Sequence, residues 1–356
     1  MSEIKHKITN LLNGIENDEI QYDELKSIRD YILQNTVNKE DAFLFFDLLH
    51  FSNISKILSN HNSNEWAFNI SKLIRKYNFH LGQLLYQRAI RYKNKVAINI
   101  IDGDKKIEIT YNKLWTDIIE IANALQSIEK DKKAIIGILS PNQYKSAALD
   151  LACLSFGFRI IPIPLNSTKD HFSYILEEAS ITHLFLGGEK AAQLWNSIED
   201  DHKLNVIDVN NIRTIKSNSM SWDDFIDHSN ETLSIQNIDS LNEQDMNKTI
   251  TIMYTSGSTS NPKGVKFSQL NIVSKRFARA LALPNISSED TFLCYLPLFH
   301  TFGRYFELMG SLFWGATYTF AESPSFNSLL KDFKTVSPTV FISIPKRWVQ
   351  IYDLMN

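Results

Sequence analysis

Apolar residues follow two rhythms along this chain, and the change falls near residue 78. Before it, Leu25, Ile28 and Ile32 recur at helical spacing behind the acidic Asp23 and Glu24, and Leu44, Leu48 and Phe51 repeat that spacing after Asn38. Residues 1–76 are therefore expected to form short amphipathic helices, with the aromatic run AFLFF at 42–46 in the core. From Phe79 onward short β-branched runs alternate with amphipathic stretches. VAINI at 96–100 predicts a strand, and ITYNKLWTDIIEIANALQ starts as a strand before running as a helix through Leu114, Ile118, Ile121 and Leu125. AIIGILS at 134–140 reads as a buried strand stopped by Pro141, followed by an Ala/Leu-rich helix to Phe156 and the strand RIIPIPL at 159–165. A helix over 170–179, strand ITHLFLG at 181–187 and a strand near NVIDV at 205–209 continue the series. Buried strands alternating with helices predict a doubly wound, largely parallel sheet. The polar stretch 211–246 reads as a connection between two halves of the fold. A strand over 249–254 and, after Gly264, a helix through Ile272, Phe277 and Leu281 complete the pattern.

Composition narrows the class. With 356 residues, 44% of them apolar, the chain has enough hydrophobic side chain for a substantial core. Lys and Arg total 37 against 40 Asp and Glu, a net charge of -3, which gives no basic surface for nucleic acid. The first residues, MSEIKHK, lack the apolar segment of a secretory signal. The longest uncharged apolar-rich stretch, 308–321, falls short of the roughly 20 residues that cross a bilayer. A cytoplasmic location without a transmembrane segment is the resulting expectation. Both cysteines, Cys153 and Cys294, lie within apolar runs and are expected as buried thiols.

The densest chemistry is YTSGSTSNPKGV at 254–265, which places five hydroxyl side chains, three glycines or prolines and one lysine directly behind the strand-like run TITIMY. A polyphosphate requires close backbone approach, several N–H and O–H donors and a mobile cation. Thr255, Ser256, Gly257, Ser258, Thr259, Ser260, Lys263 and Gly264 offer all three. The spacing excludes a Walker loop, because Lys263 lies between Pro262 and Gly264, and no G-x-G-x-x-G occurs in the sequence.

YTSGSTSNPKGV resembles the phosphate-binding signature of the AMP-forming synthetases, the superfamily of acyl-CoA ligases, luciferases and peptide-synthetase adenylation domains. Ser260 departs from that signature, where glycine is usual. ITYNKLW at 109–115, LSFGFRIIPIPLNST at 154–168 and YLPLFHTFG at 295–303 are similar to further elements of the family in the same order. The segment from Tyr295 through SPTVFISIPKRWVQIY resembles the long-chain fatty acyl-CoA ligase branch in particular. The resemblance implies an α/β fold of two doubly wound, largely parallel sheet subdomains. Residues 77–356 would be the N-terminal part of an adenylate-forming domain, preceded by a helical extension over 1–76.

The same resemblance implies ATP, Mg²⁺ and coenzyme A as co-substrates of a carboxylic acid. The loop residues would hold the β and γ phosphates and Thr255 would help place Mg²⁺. Lys263 and His300 would be the catalytic groups, with His300, Thr301, Phe302 and Gly303 lining the acid site. Family members that activate amino acids carry an aspartate in this element, and no acidic residue occurs between Pro297 and Gly303, so a substrate without an amino group is expected, and the likeness to the long-chain branch implies a medium- or long-chain fatty acid. The apolar side chains from Phe299 to Phe320 suit either an alkyl chain or the core. Family members continue through an adenine-binding Gly-Ala turn, a Tyr-Gly-x-Thr-Glu element, a ribose-binding aspartate and a C-terminal domain with a catalytic lysine. None of these precedes Asn356, so little activity is expected of this polypeptide alone, with a possible C-terminal half supplied by another chain. Transfer to a carrier protein instead of coenzyme A, and a non-catalytic nucleotide-binding role, are the alternatives. An exposed sheet edge and apolar face are further expectations.

Overall fold

The computed structural model describes residues 2–15, 20–103, 105–129, 133–212, 214–216, 218–228, 244–255 and 261–355. Five helices precede residue 78: α1 (Glu3–Asn13), α2 (Tyr22–Gln34), α3 (Lys39–Leu48), α4 (Ser52–Ser59) and α5 (Ser63–Tyr77). Ser2, Asn38 and Asn62 start three of them, each side-chain oxygen accepting from the amide three residues on. A helix that the periodicity did not single out, α6 (Leu81–Arg91), leads into the alternating region.

Among the described residues twelve strands form two sheets. The first contains β1 (Val96–Asp102) and β2 (Lys105–Thr110), then α7 (Tyr111–Ile128) departs, capped by Thr110. The chain next builds the second sheet with β3 (Ile135–Leu139), α8 (Tyr144–Phe156), β4 (Arg159–Pro162), α9 (Lys169–Glu178), β5 (His183–Leu186), α10 (Glu189–Trp195) and β6 (Asn205–Asp208). The stretch expected to be only a connection also carries β7 (Met220–Ser221) and α11 (Trp222–Asp227). Trp222 and Phe225 are buried there against Phe185, which gives this short helix an apolar anchor. β8 (Thr249–Thr255) follows. The expected helix does not begin directly after Gly264: an antiparallel strand, β9 (Lys263–Ser268), pairs with β8 first, and α12 (Gln269–Ala282) starts at the Ser268 cap. The chain then returns to the first sheet with β10 (Thr291–Cys294), a π-helix over Phe302–Leu308, α13 (Met309–Trp314), β11 (Thr317–Phe320), α14 (Phe326–Val336), β12 (Val340–Phe341) and α15 (Pro345–Met355).

Strand order is β12-β10-β11-β1-β2 in one sheet and β7-β6-β5-β3-β4-β8-β9 in the other. All pairings are parallel except β1 with β2 and β8 with β9, so the fold is α/β with two parallel-dominated sheets, as the sequence implied.

The early helices share a core with the sheets. Phe46 stacks on Phe79 at 4.3 Å between ring centroids and meets Phe277 of α12 at 5.7 Å, and Phe277 meets Phe313 of α13 edge-on at 5.0 Å. Such pairs contribute about 0.5–1.5 kcal/mol each beyond their buried area. Ala42, Phe45 and Phe46 are buried, as AFLFF predicted, and both cysteines are buried free thiols whose pKa values burial pushes up. Among the described residues no helix is long and apolar enough to cross a membrane. Apolar side chains are exposed at Ile344 and along α15 at Trp348, Val349, Tyr352 and Leu354, beside the two-residue edge strand β12.

Candidate functional site

In the seven-stranded sheet the chain moves from β3 to β4 on one side, then crosses back to β5 on the other. Right-handed crossovers that leave in opposite directions part the flanking helices at the carboxyl ends of β3 and β4, which is where open α/β sheets hold ligands. A cavity of about 770 Å³ lies there. Its wall comes from the carboxyl ends of both sheets: Pro141 and Asn142 after β3, Leu165 after β4, residues 295–297 and 299–302 after β10, Ala321 and Glu322 after β11, and residues 343–345 and 347 after β12. Most of this surface is apolar, with a few polar groups at fixed positions, a composition suited to an acid with a hydrocarbon body.

Hydrogen bonds hold the wall in register. Asn142 Nδ2 donates to the Leu296 carbonyl at 2.8 Å and its Oδ1 accepts from the Leu298 amide at 3.0 Å, which fastens the turn after β3 to the segment after β10. Tyr295 Oη and Ser343 Oγ are 2.8 Å apart, joining the ends of β10 and β12. Arg347 donates to the Pro324 carbonyl at 2.6 Å and to Gln350 Oε1 at 2.7 Å. None of these side chains was given a role from the sequence, although Tyr295, Ser343 and Arg347 lie within segments that resemble the family; Asn142 carried only a local signal, a polar residue behind the strand-ending Pro141.

His300 and Thr301 line the cavity and are exposed, and Phe302 is 56% exposed on the same wall. The His300 amide donates to the Pro297 carbonyl at 2.9 Å, and its ring packs 4.6 Å from that of Phe299. Partial desolvation by the wall lowers the His300 pKa, which favours the neutral imidazole. Gly303 is buried, and a Cβ there would approach the Pro297 carbonyl oxygen to 2.4 Å. A side chain at this position would push the whole His300 segment off the turn beneath it.

The next turn winds as a π-helix, a local expansion often found beside functional sites. It divides the apolar run that suited both alkyl chain and core. Phe299 and Phe302 face the cavity, whereas Tyr305, Leu308, Leu312, Phe313 and Trp314 are core.

Of the expected phosphate-binding residues, Ser256, Gly257, Ser258, Thr259 and Ser260 lie outside the described residues. Thr255 and Lys263 flank them as opposed partners of the β8–β9 hairpin, both exposed. Thr255 Oγ1 donates to the Lys263 carbonyl at 3.3 Å. Gly264 lies across from Tyr254, where a Cβ would come within 2.8 Å of Ile252 Cγ2, so the hairpin closes tightly at the end of the loop. Neither Thr255 nor Lys263 belongs to the described cavity wall. Among the described residues no group of three or more His, Cys, Asp or Glu could bind a metal ion. Mg²⁺ keeps several waters and relies on substrate phosphates, so an exposed hydroxyl such as that of Thr255 is a donor it can use.

The profile of the AMP-binding enzyme family matches residues 85–356. The chain is 25% identical over 281 residues to the rat long-chain-fatty-acid–CoA ligase ACSBG2, which covers 76% of this chain and 42% of that protein. It is 23% identical over 327 residues to long-chain-fatty-acid–CoA ligase 1 of Schizosaccharomyces pombe, 82% of this chain and 48% of the relative. Each alignment thus spans less than half of the relative's length. Among solved structures, o-succinylbenzoate CoA synthetase from Bacillus subtilis with its acyl-adenylate superposes with a TM-score of 0.60 at 20% identity, over 76% of this chain and half of that one. The N-terminal domain of FACL13 from Mycobacterium tuberculosis gives 0.59 at 17% identity, over 78% and 64%.

Proposed function

Because this chain belongs to the AMP-binding enzyme family, we propose that it forms the portion of an acid–CoA ligase that holds the triphosphate of ATP and a medium- or long-chain fatty acid. The observation that carries this reading is the apolar cavity between the carboxyl ends of the two sheets, with His300 and Phe302 on its wall. The β8–β9 hairpin presents Thr255 and Lys263 at the base of the hydroxyl-rich loop. There the Lys263 ammonium would offset the charge of the β and γ phosphates, together with Ser256, Gly257, Ser258, Thr259, Ser260 and Gly264. Mg²⁺, held through those phosphates and the Thr255 hydroxyl, would supply further charge compensation.

In the reaction a carboxylate oxygen bonds to the α-phosphorus of ATP as the bond to pyrophosphate breaks, leaving an acyl-adenylate that coenzyme A would then intercept. Holding both reactants and matching the developing phosphate charge is the protein's main contribution. His300, Thr301, Phe302 and Gly303 would place the carboxylate, with the neutral His300 imidazole free to donate one hydrogen bond. Residues 77–356 would constitute this unit, with 1–76 as a helical layer buttressing α12. We expect the 356-residue chain by itself to bind both ligands but turn over little acyl-adenylate. The exposed apolar surface of α15 suits coverage by further polypeptide of the same enzyme.

Calorimetric titration with MgATP and with palmitate tests the reading. Lys263→Ala should weaken MgATP by about tenfold, equal to 1.4 kcal/mol, while leaving palmitate unchanged, and His300→Ala should do the reverse. If neither ligand binds, or neither substitution alters its own ligand, the assignment fails.

A further inference from the structure

We propose that Arg304 is a positioning residue that ties the acid-binding wall to the strand carrying the phosphate loop, so that each ligand tightens the other. This rests on the two-ligand reading above.

Arg304 is fully buried, yet every arm of its guanidinium is engaged. Nε and Nη2 donate to the two oxygens of Asp150 on α8 at 2.8 and 2.5 Å. Nη1 donates to Thr251 Oγ1 on β8 at 2.8 Å and to Tyr305 Oη at 3.3 Å. The Thr251 hydroxyl in turn donates to the Ile160 carbonyl on β4 at 2.5 Å. The backbone places the same residue one turn beyond His300, whose carbonyl accepts from the Arg304 amide at 3.0 Å. One side chain therefore joins the His300 segment, α8 behind the β3 crevice, and the middle of β8.

A buried ion pair contributes little net stability compared with well-packed apolar side chains, because desolvation offsets its attraction. What this pair provides is a fixed register among three elements that apolar contacts would leave free to slide. From Thr251 the rigid, fully paired β8–β9 hairpin runs four residues to Thr255, roughly 13 Å at strand rise. A shift of the His300 wall on acid binding is thereby felt at the base of the phosphate loop, and the reverse holds by linkage.

Thr251 is the place to cut, since it touches neither ligand. In the 356-residue chain, saturating palmitate should tighten MgATP by at least about fivefold. Thr251→Val, which keeps shape but removes the hydroxyl, should reduce that factor below about twofold while changing each separate affinity little, and Thr251→Ser should restore it. Arg304→Lys, which cannot reach Asp150 and Thr251 together, should behave like Thr251→Val. Coupling that survives Thr251→Val while both ligands bind overturns the proposal. If the unmodified chain binds neither ligand, the functional reading has failed instead, and hydrogen exchange without ligands decides this one. Thr251→Val must then speed exchange in residues 300–308 and 263–268 together; unchanged protection at 300–308 overturns it.

Discussion

The buried charges at the junction of the early helices with the sheets and those around the π-helix obey different rules. At the first, Asp47 of α3 accepts from Arg88 at 2.7 Å and from Arg91 Nε at 3.0 Å, while Arg88 Nε reaches the Phe313 carbonyl at 2.8 Å. His50 completes the cluster through the Asp47 carbonyl and Tyr92 Oη, and burial beside Arg88 keeps its ring neutral. Only Arg88 Nη2 is left over. Around the π-helix, by contrast, satisfied Arg304 neighbours groups that are not. The carboxyl of the fully buried Glu307 has no side-chain partner and meets only the Leu296 backbone, and Nε and Nη1 of Arg276, which packs against the Tyr305 ring, have no hydrogen-bond partner among the described residues. The Asp47 cluster thus comes close to complete pairing, whereas unpaired buried groups, which are costly, persist around the π-helix that follows the His300 segment.

The sharpest way to break this contrast is Asp47→Ala. Arg88 would remain buried without its carboxylate, and loss of about 3–5 kcal/mol in urea unfolding is expected. A loss near zero would mean the junction is no better paired than the π-helix.

Glu307 offers the opposite sign. Burial pushes its carboxyl up to about 9, opposed by the Leu296 backbone, so in the folded protein it is neutral at pH 7 while the unfolded chain ionises above about 4.5. The unfolded state then binds fewer protons, and stability falls as pH rises from about 4.5 to 9, by about 3 kcal/mol at pH 7. Glu307→Gln should remove this slope, so its stability relative to the unmodified protein rises between pH 5 and pH 8. Parallel curves for the two proteins would contradict the assignment.

Arg276→Met should be the mildest. Burial and the nearby Arg279 push the Arg276 guanidinium down to about 9, and replacing an unpaired buried charge by an apolar chain is expected to be neutral or stabilising by about 1 kcal/mol. A clear loss of stability would show that Arg276 has a partner in solution and that the two regions are alike.

Much of the fold was legible because its signals are local. The runs at 96–100, 134–140 and 205–209 could be read as strands since buried parallel strands are short and β-branched, and the helical pattern after Asn38 starts where that residue caps α3. β9 escaped because Lys263, Gly264 and Lys266 look like loop, and its strand character depends on β8 beside it. α6 escaped because Arg88 and Gln83 break its apolar stripe, and its placement depends on residues distant in sequence: Asp47, which pairs with Arg88, and Gln269, whose Oε1 accepts from the Leu81 amide.

The candidate site divides the same way. His300, Thr301 and Phe302 could be named from one contiguous motif that begins at Tyr295, whereas Asn142 and Arg347 meet them only when the ends of β3, β10 and β12 are brought to one crevice.

The sequence by itself determined the alternation of strands and helices, the hydroxyl-rich loop and the family to which residues 85–356 belong, because each is written in neighbouring residues. Tertiary structure alone decided that Asp150, Thr251 and Arg304 share one guanidinium, and that Phe302 faces a cavity while Phe313 is core. Contacts such as these, across 53 and 154 residues of chain, leave no periodic trace, since they are selected by the packing of whole elements and not by the local geometry of any one of them.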